Sequence, residues 1–313
     1  MENNQPLIVI VGPTAVGKTA TSIDLAKQYD GEVISGDSMQ VYRGMDVGTA
    51  KITNQEMDGV PHHLIDIKNP DEAFSVADFQ SLAKKAITEI SDKEKLPFIV
   101  GGTGLYVNSI IYDYDFSDVK EDRAFRDRLD KFAEEHGNDA LHEQLKLIDP
   151  KSFQQLHPNN RRRVIRALEV YHLTGKSVTE ESHQAQRSIY DAKVIGLTMD
   201  RDVLYDRINL RVDLMINEGL VEEVKHLYEQ GYEHCQSMQA IGYKEILEYI
   251  KGNVTKEEAV SQLKQNSRRF AKRQLTWFRN KMDIEWFDMT SDEEKSLKEI
   301  HHFLKESFNK YRI

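Results

Sequence analysis

At 313 residues, 39% hydrophobic and 30% charged, the chain can build the core of one large or two ordinary domains, which excludes a disordered chain. No apolar run approaches the ~20 residues that span a bilayer, and Met1–Pro6 lacks the basic start and long apolar stretch of a signal peptide, so no membrane association is expected. The net charge of −10 argues against a uniformly basic nucleic-acid binder but not against local clusters of cations, and the single cysteine, Cys235, excludes an intrachain disulfide and points to a reducing compartment, the cytoplasm.

The first hundred residues alternate strand-like and helix-like segments. Leu7–Val11 reads as an apolar strand, followed by a glycine-rich turn and a helix from Lys18 to about Tyr29. Glu32–Ser35 and Leu64–Ile67 read as short strands; Ser75 and Asp78 form a capping box that opens a helix to about Ser91. Phe98–Val100 then enters Gly101-Gly102-Thr103-Gly104. Strands separated by helical crossovers predict a parallel sheet with covered faces. From Asp118 to Gly175 the pattern is helical throughout: Arg123–His136, Asp139–Ile148 and Arg161–Thr174, the last closed by Gly175. A polar stretch, Lys176–Asp191, precedes a strand at Lys193–Met199, and helices follow at Asp202–Glu218, Val221–Gln230, Lys256–Lys281 and beyond Asp292. The expected architecture is α/β: a core formed by residues 1–117 and 191–313, interrupted by an all-helical insertion domain at 118–190.

Gly12-Pro13-Thr14-Ala15-Val16-Gly17-Lys18-Thr19 matches G-x-x-x-x-G-K-[ST] between a strand and a helix, which makes the core a P-loop NTPase-like sheet flanked by helices. Its backbone N–H groups can surround phosphate oxygens at a helix N-terminus, Lys18 adds a cation, and the Thr19 hydroxyl can ligate Mg²⁺. A di- or triphosphate is expected there, and the motif alone admits ATP. Phe98–Val100 exits into glycines without the carboxylate that a nucleotide hydrolase uses to organise Mg²⁺ and water; Asp66 could supply one. Asn280-Lys281-Met282-Asp283 fits the guanine-reading N-K-x-D pattern, but trails a helix and is read as coincidence.

Asp37 follows the second strand. In a doubly wound sheet the carboxyl ends of adjacent strands share one crevice, so Asp37 is expected near the phosphate loop, either accepting a proton or capping a turn. Arg161, Arg162, Arg163 and Arg166 form one basic group; Arg268, Arg269, Lys272, Arg273, Arg279 and Lys281 form another. Each could be a solvated helix face or a phosphate contact. Phe270 and Trp277 are expected as core anchors. His62-His63 and His301-His302 lack a third ligand at useful spacing and are read as fold residues.

Three longer segments carry a resemblance: the phosphate loop, Gly36–Lys51 (GDSMQVYRGMDVGTAK) and Val100–Tyr106 (VGGTGLY). With His157-Pro158-Asn159 leading to Arg166–Glu169, then Ile241–Lys244 and Lys272–Trp277, they resemble the tRNA dimethylallyltransferases, also called tRNA isopentenyltransferases, of compact bacterial type. The resemblance implies that the loop holds the diphosphate of dimethylallyl diphosphate with Mg²⁺, that no nucleotide is hydrolysed, and that the acceptor is N6 of the adenosine 3′ of the anticodon. It implies Asp37 as general base, with Lys18, Thr19 and Arg211 stabilising the leaving pyrophosphate. Further implied contacts with the tRNA anticodon stem-loop are Asp37, Ser38, Met39, Gln40, Thr103, Arg126, Arg162, Arg163, Arg166, Gln239, Gly242, Tyr243 and Lys244. A monomer is expected. Rival readings are a P-loop small-molecule kinase, a dimethylallyltransferase acting on free AMP, ADP or ATP, and a non-catalytic RNA chaperone.

Overall fold

The structure is a computed structural model and describes residues 5–114, 122–177 and 188–308. Its frame is a six-stranded sheet, β1 (Pro6–Val11), β2 (Gly31–Ser35), β3 (His62–His63), β4 (Leu96–Gly101), β5 (Asp191–Thr198) and β6 (Glu285–Asp288), in the order β3-β2-β4-β1-β5-β6. Every pairing is parallel, as the alternation of strands and crossovers predicts. Leu7 to Val11 on the central strand are wholly buried. Such an unbroken apolar run is what a strand covered on both faces requires, and burying each side chain contributes roughly 1.5–3 kcal/mol.

Most expected elements appear within a residue or two. Lys18–Gln28, Val76–Ser91, Arg201–Asn217, Leu220–Glu229, Lys256–Lys281 and Glu293–Phe308 are helices, and the Ser75/Asp78 capping box is formed. The third strand differs. It is His62–His63, not Leu64–Ile67, because Leu64 and Asp66 adopt φ of 63° and 55°, outside the extended region. Helices at Asn54–Met57, Gly104–Ile111 and Tyr243–Ile250 and the edge strand β6 are additions, each too short for periodicity to declare. His63 Nε2 lies 2.8 Å from the buried Glu32 carboxylate, which Lys93 and Lys95 also approach.

The chain packs as two compact units, Met1–Ile111 with Ser188–Ile313, and Tyr112–Arg187. The boundary expected at 117/118 and much of the polar 176–191 stretch lie outside the described residues. In the smaller unit one helix, Arg123–Glu143, covers all of the first expected helix and the start of the second. Gly137, at φ 87° and ψ 162°, breaks it where the gap was expected. Pro150–Gln155 is a further helix, capped by Asp149, and Arg161–Thr174 ends at the left-handed Gly175. Leu129, Leu141, Leu145, Val164, Ile165 and Leu168 form its core. Within it Glu169, 0% exposed, accepts from Nε and Nη2 of Arg126 at 2.9 and 2.8 Å, from Arg166 Nη1 at 2.7 Å and from the Asp122 N–H at 2.9 Å. A buried carboxylate survives only with such compensation. Among the described residues no helix is long and apolar enough to cross a membrane.

Candidate active site

At the carboxyl ends of β1, β2 and β4 a cleft of about 850 Å³ opens, lined by Thr14, Ala15, Gly17, Lys18 and Thr19 of the phosphate loop. Gly12, Pro13 and Val16 do not line it: all three are buried, and Val16 sits in the sheet core. Gly12 and Pro13 instead turn their carbonyls to Lys18 Nζ, at 3.0 and 2.7 Å. Burial, reinforced by the neighbouring Arg211 charge and partly offset by Asp37, pushes the Lys18 ammonium down to about 7. Thr19 is the second residue of the helix, exposed and lining the cleft.

Asp37 reaches the same cleft by a route that strand adjacency did not anticipate. β4 stands between β1 and β2, so the second strand does not neighbour the loop-bearing strand. The crevice is continuous because β4 ends in Gly101-Gly102. A Cβ on Gly101 would lie 2.3 Å from the Gly36 carbonyl oxygen, and one on Gly102 2.1 Å from Gln274 Nε2. Asp37 Oδ1 accepts the N–H groups of Met39 at 2.7 Å and Gln40 at 3.3 Å, an Asx turn that fixes the carboxylate; Oδ2 has no hydrogen-bond partner among the described residues.

Arg211 comes from the helix Arg201–Asn217, whose face Leu204, Ile208 and Val212 is buried. Arg207, one turn earlier, pairs with Glu293 at 2.7 Å. Arg211 has no hydrogen bond or ion pair among the described residues, although burial disfavours its charge against the acidic neighbours Asp37, Glu56 and Glu218. A largely enclosed guanidinium with no ion pair among the described residues, beside a lysine and a nest of backbone N–H groups, has the charge pattern that suits an anion.

A second cavity of about 320 Å³ adjoins the first. Thr14, Asp37, Thr49, Arg211 and Phe270 line both, and Ser38, Met39, Thr103, Gln239 and Arg273 line the second. Its apolar wall is Ile208, Val212, Met215, Ile241 and Leu263. Phe270 is therefore a wall of both cavities rather than a core anchor: it flanks the buried stripe Ala259, Leu263, Ala271, Gln274, Phe278 of its helix. Trp277 does anchor, packed against Gly104, where an added Cβ would meet its ring at 2.1 Å.

Several other expected contacts are engaged elsewhere. Gln40 lines the first cleft, but accepts from Ser35 Oγ at 3.1 Å and donates to the carbonyls of Thr49 and Ala50. Tyr243 is wholly buried, so its ring is not offered to RNA; its hydroxyl donates to Glu223 at 2.6 Å. That carboxylate also accepts the N–H groups of Asp46, Val47 and Gly48 at 2.9, 2.8 and 3.1 Å. Gly48 has no side chain because the Tyr243 ring occupies the place, 2.5 Å from where a Cβ would stand. Glu223 and Tyr243 thus shape the loop carrying Thr49. Gly242 is buried and donates to Glu245, while Lys244 is exposed. Asp66, the alternative metal acid, bonds Lys51 at 2.6 Å. In the smaller unit Arg126 and Arg166 are committed to Glu169, and Arg161 to Asp130 at 2.7 Å. Arg162 and Arg163 are exposed and make no ion pair among the described residues.

The IPP transferase family model matches residues 40–281. The chain is 61% identical over 303 residues to the tRNA dimethylallyltransferase of Halalkalibacterium halodurans, covering 96% of each chain. It is 60% identical over 290 residues to that of Bacillus pumilus, 92% of this chain and 91% of the relative. Among solved structures it matches the full-length tRNA isopentenylpyrophosphate transferase of Bacillus halodurans with a TM-score of 0.76 and 59% identity, over 98% and 97% of the two chains. A eukaryotic dimethylallyltransferase acting on tRNA matches with a TM-score of 0.83 and 31% identity, over 97% of this chain and 80% of that one.

Proposed function

This chain belongs to the IPP transferase family, and we propose that it transfers the dimethylallyl group of dimethylallyl diphosphate to N6 of the adenosine 3′-adjacent to the anticodon of tRNA, releasing pyrophosphate. The observation that carries the mechanism is that one set of side chains, Asp37, Arg211 and Thr14 among them, walls both cavities. A diphosphate on the loop and a base in the second cavity would meet there.

The chemistry follows from that meeting. The N6 lone pair, delocalised into the purine, attacks the allylic carbon; an N–C bond forms and the C–O bond breaks, its electron pair leaving with pyrophosphate. Asp37 takes the N6 proton on Oδ2, while the Asx turn through Oδ1 keeps the carboxylate in place. Lys18, Arg211 and the loop N–H groups stabilise the charge that gathers on the leaving oxygens. Mg²⁺ keeps several waters and binds mainly through substrate phosphates, so the Thr19 hydroxyl in the cleft would suffice to help hold it, and when bound it would supply further charge neutralisation. The apolar wall of Ile208, Val212, Met215 and Leu263 suits a dimethylallyl chain and the face of a base. The adenosine leaves the loop stack to enter, as bases do for other base-modifying enzymes. Cytoplasmic residence accords with the lone cysteine.

In this reading Arg162 and Arg163, exposed and without an ion pair among the described residues, contact tRNA phosphates. Arg162→Ala should weaken tRNA binding and reduce the slope of log K against log salt by about 0.7–0.9, the value for one lost phosphate contact. An unchanged slope would mean that Arg162 is ordinary solvated surface.

Radiolabelled dimethylallyl diphosphate, Mg²⁺ and unmodified tRNA, with AMP and ATP as parallel acceptors, test the reading as a whole. Label confined to the adenosine beside the anticodon is expected. Label in free nucleotide, or phosphoryl transfer from ATP to a metabolite, would replace it with the corresponding rival.

A further inference from the structure

We infer that Gln274 is a positioning residue for the reaction, a two-ended latch that holds the rim of the phosphate loop against the end of β4. The inference rests on the reading that this loop carries the donor diphosphate.

Gln274 is 7% exposed and lies on a helix face of apolar neighbours, Ala271 and Phe278, where a primary amide has no place unless both ends are satisfied. Both are. Oε1 accepts the Thr14 N–H at 3.0 Å, and Nε2 donates to the Gly102 carbonyl at 3.0 Å. The two partners dictate the amide orientation, since Thr14 offers only a donor and Gly102 only an acceptor. No other side chain of this size has a neutral donor and acceptor at its tip, so Glu, Met or Leu would each lose at least one bond.

The place of the latch decides its effect. Thr14 precedes Ala15, whose φ of 66° is a conformation that residues with a Cβ disfavour, so the loop needs an external hold to keep its N–H groups turned to the phosphate. Gly102 directly follows β4, and the missing side chains of Gly101 and Gly102 join the Asp37 side of the cleft to the loop side. Gln274 therefore spans the seam between the two. The same helix contributes Leu263, Ser267 and Phe270 to the second cavity and Phe270 and Gln274 to the first. One rigid helix thus registers both substrates' walls, and Gln274 is the point at which it grips the loop.

The test compares Gln274→Met, close in length and volume but without either hydrogen bond, with wild type and Lys18→Ala. Steady-state kinetics with dimethylallyl diphosphate varied at saturating tRNA, calorimetric binding of inorganic pyrophosphate with Mg²⁺, and tRNA affinity are measured together. Gln274→Met is expected to raise the donor KM by about ten-fold and weaken pyrophosphate to a similar degree, the size of losing one or two neutral hydrogen bonds, with tRNA affinity within two-fold of wild type. A merely structural glutamine would instead lower the active fraction, reducing kcat with donor KM and pyrophosphate affinity unchanged, and that result would overturn the inference. Should the variant not accumulate in folded form, Gln274→Asn, one methylene too short to span Thr14 and Gly102, is read by the same criteria. If Lys18→Ala leaves pyrophosphate affinity intact, the loop does not carry the diphosphate and the underlying reading fails. If Lys18→Ala loses it and Gln274→Met does not, only the latch fails.

Discussion

Asp37→Ala is expected to lower kcat for dimethylallyl transfer by about 10²–10⁴-fold, the range for removing a positioned general base, while tRNA affinity changes by no more than a few-fold. The separation of effects follows from the geometry. Asp37 accepts hydrogen bonds through Oδ1, in the turn to Met39 and Gln40, and its other oxygen has no hydrogen-bond partner among the described residues. Asp37→Asn divides the two roles. An asparagine oxygen can accept the same N–H groups and keep the turn, but cannot take a proton from N6. We therefore expect Asp37→Asn to be about as slow as Asp37→Ala. Recovery of wild-type turnover in the asparagine variant would show that Asp37 shapes the loop and that the proton goes elsewhere.

The second large effect belongs to Lys18. Removing one preorganised cation or donor from a developing oxyanion costs about 10²–10³ in kcat, and Lys18→Ala should fall in that range. Its pH behaviour is the sharper test. With the ammonium lowered to about 7, Lys18 is a cation below that pH and neutral above it in the free protein. A diphosphate favours the cation, so binding above pH 7 must draw a proton onto Lys18. Calorimetry of pyrophosphate binding at pH 8, in two buffers of different ionisation heat, should show uptake approaching one proton per site in the wild type and distinctly less in Lys18→Met. Equal uptake in both would place the proton on another group. The folding linkage has the complementary sign. A lysine whose folded value lies below its ordinary 10.5 destabilises the native state most below about pH 7 and not at all above 10.5. Lys18→Met should therefore raise the melting temperature of the ligand-free protein at neutral pH, an advantage that fades as pH rises through that window.

Glu223 and Gln274 show what a linear reading passes over. Both stand inside motif-rich or amphipathic helices and neither advertises chemistry, yet each binds backbone N–H groups of a loop that lines the cavities. For Gln274 the signal was present: a polar amide on the stripe of a helix whose neighbours at 271 and 278 are apolar. For Glu223 there was none, since a glutamate in the first turn of a helix is ordinary N-terminal charge. Tyr243, Arg126 and Arg166 show another gap. The resemblance implied RNA contacts for them, and it gave no sign that Tyr243 is buried against Gly48 or that both arginines pair with the buried Glu169.

What the sequence determined by itself are features with local causes. The phosphate loop is a contiguous motif whose backbone geometry its own residues impose. The parallel sheet follows from apolar runs spaced by helical crossovers, and the long helices from their periodicity and caps, as at Ser75 and Gly175. The family resemblance, too, sits in ordered contiguous segments. What only the tertiary structure decided are relations between distant positions: that β4 separates β1 from β2 and its glycines reopen the crevice, that Arg207 meets Glu293 while Arg211 lines both cavities, and that Phe270 faces the same two cavities. Such relations depend on which strands pair and which helix faces meet. Those contacts join residues far apart in the chain, and no local propensity specifies them.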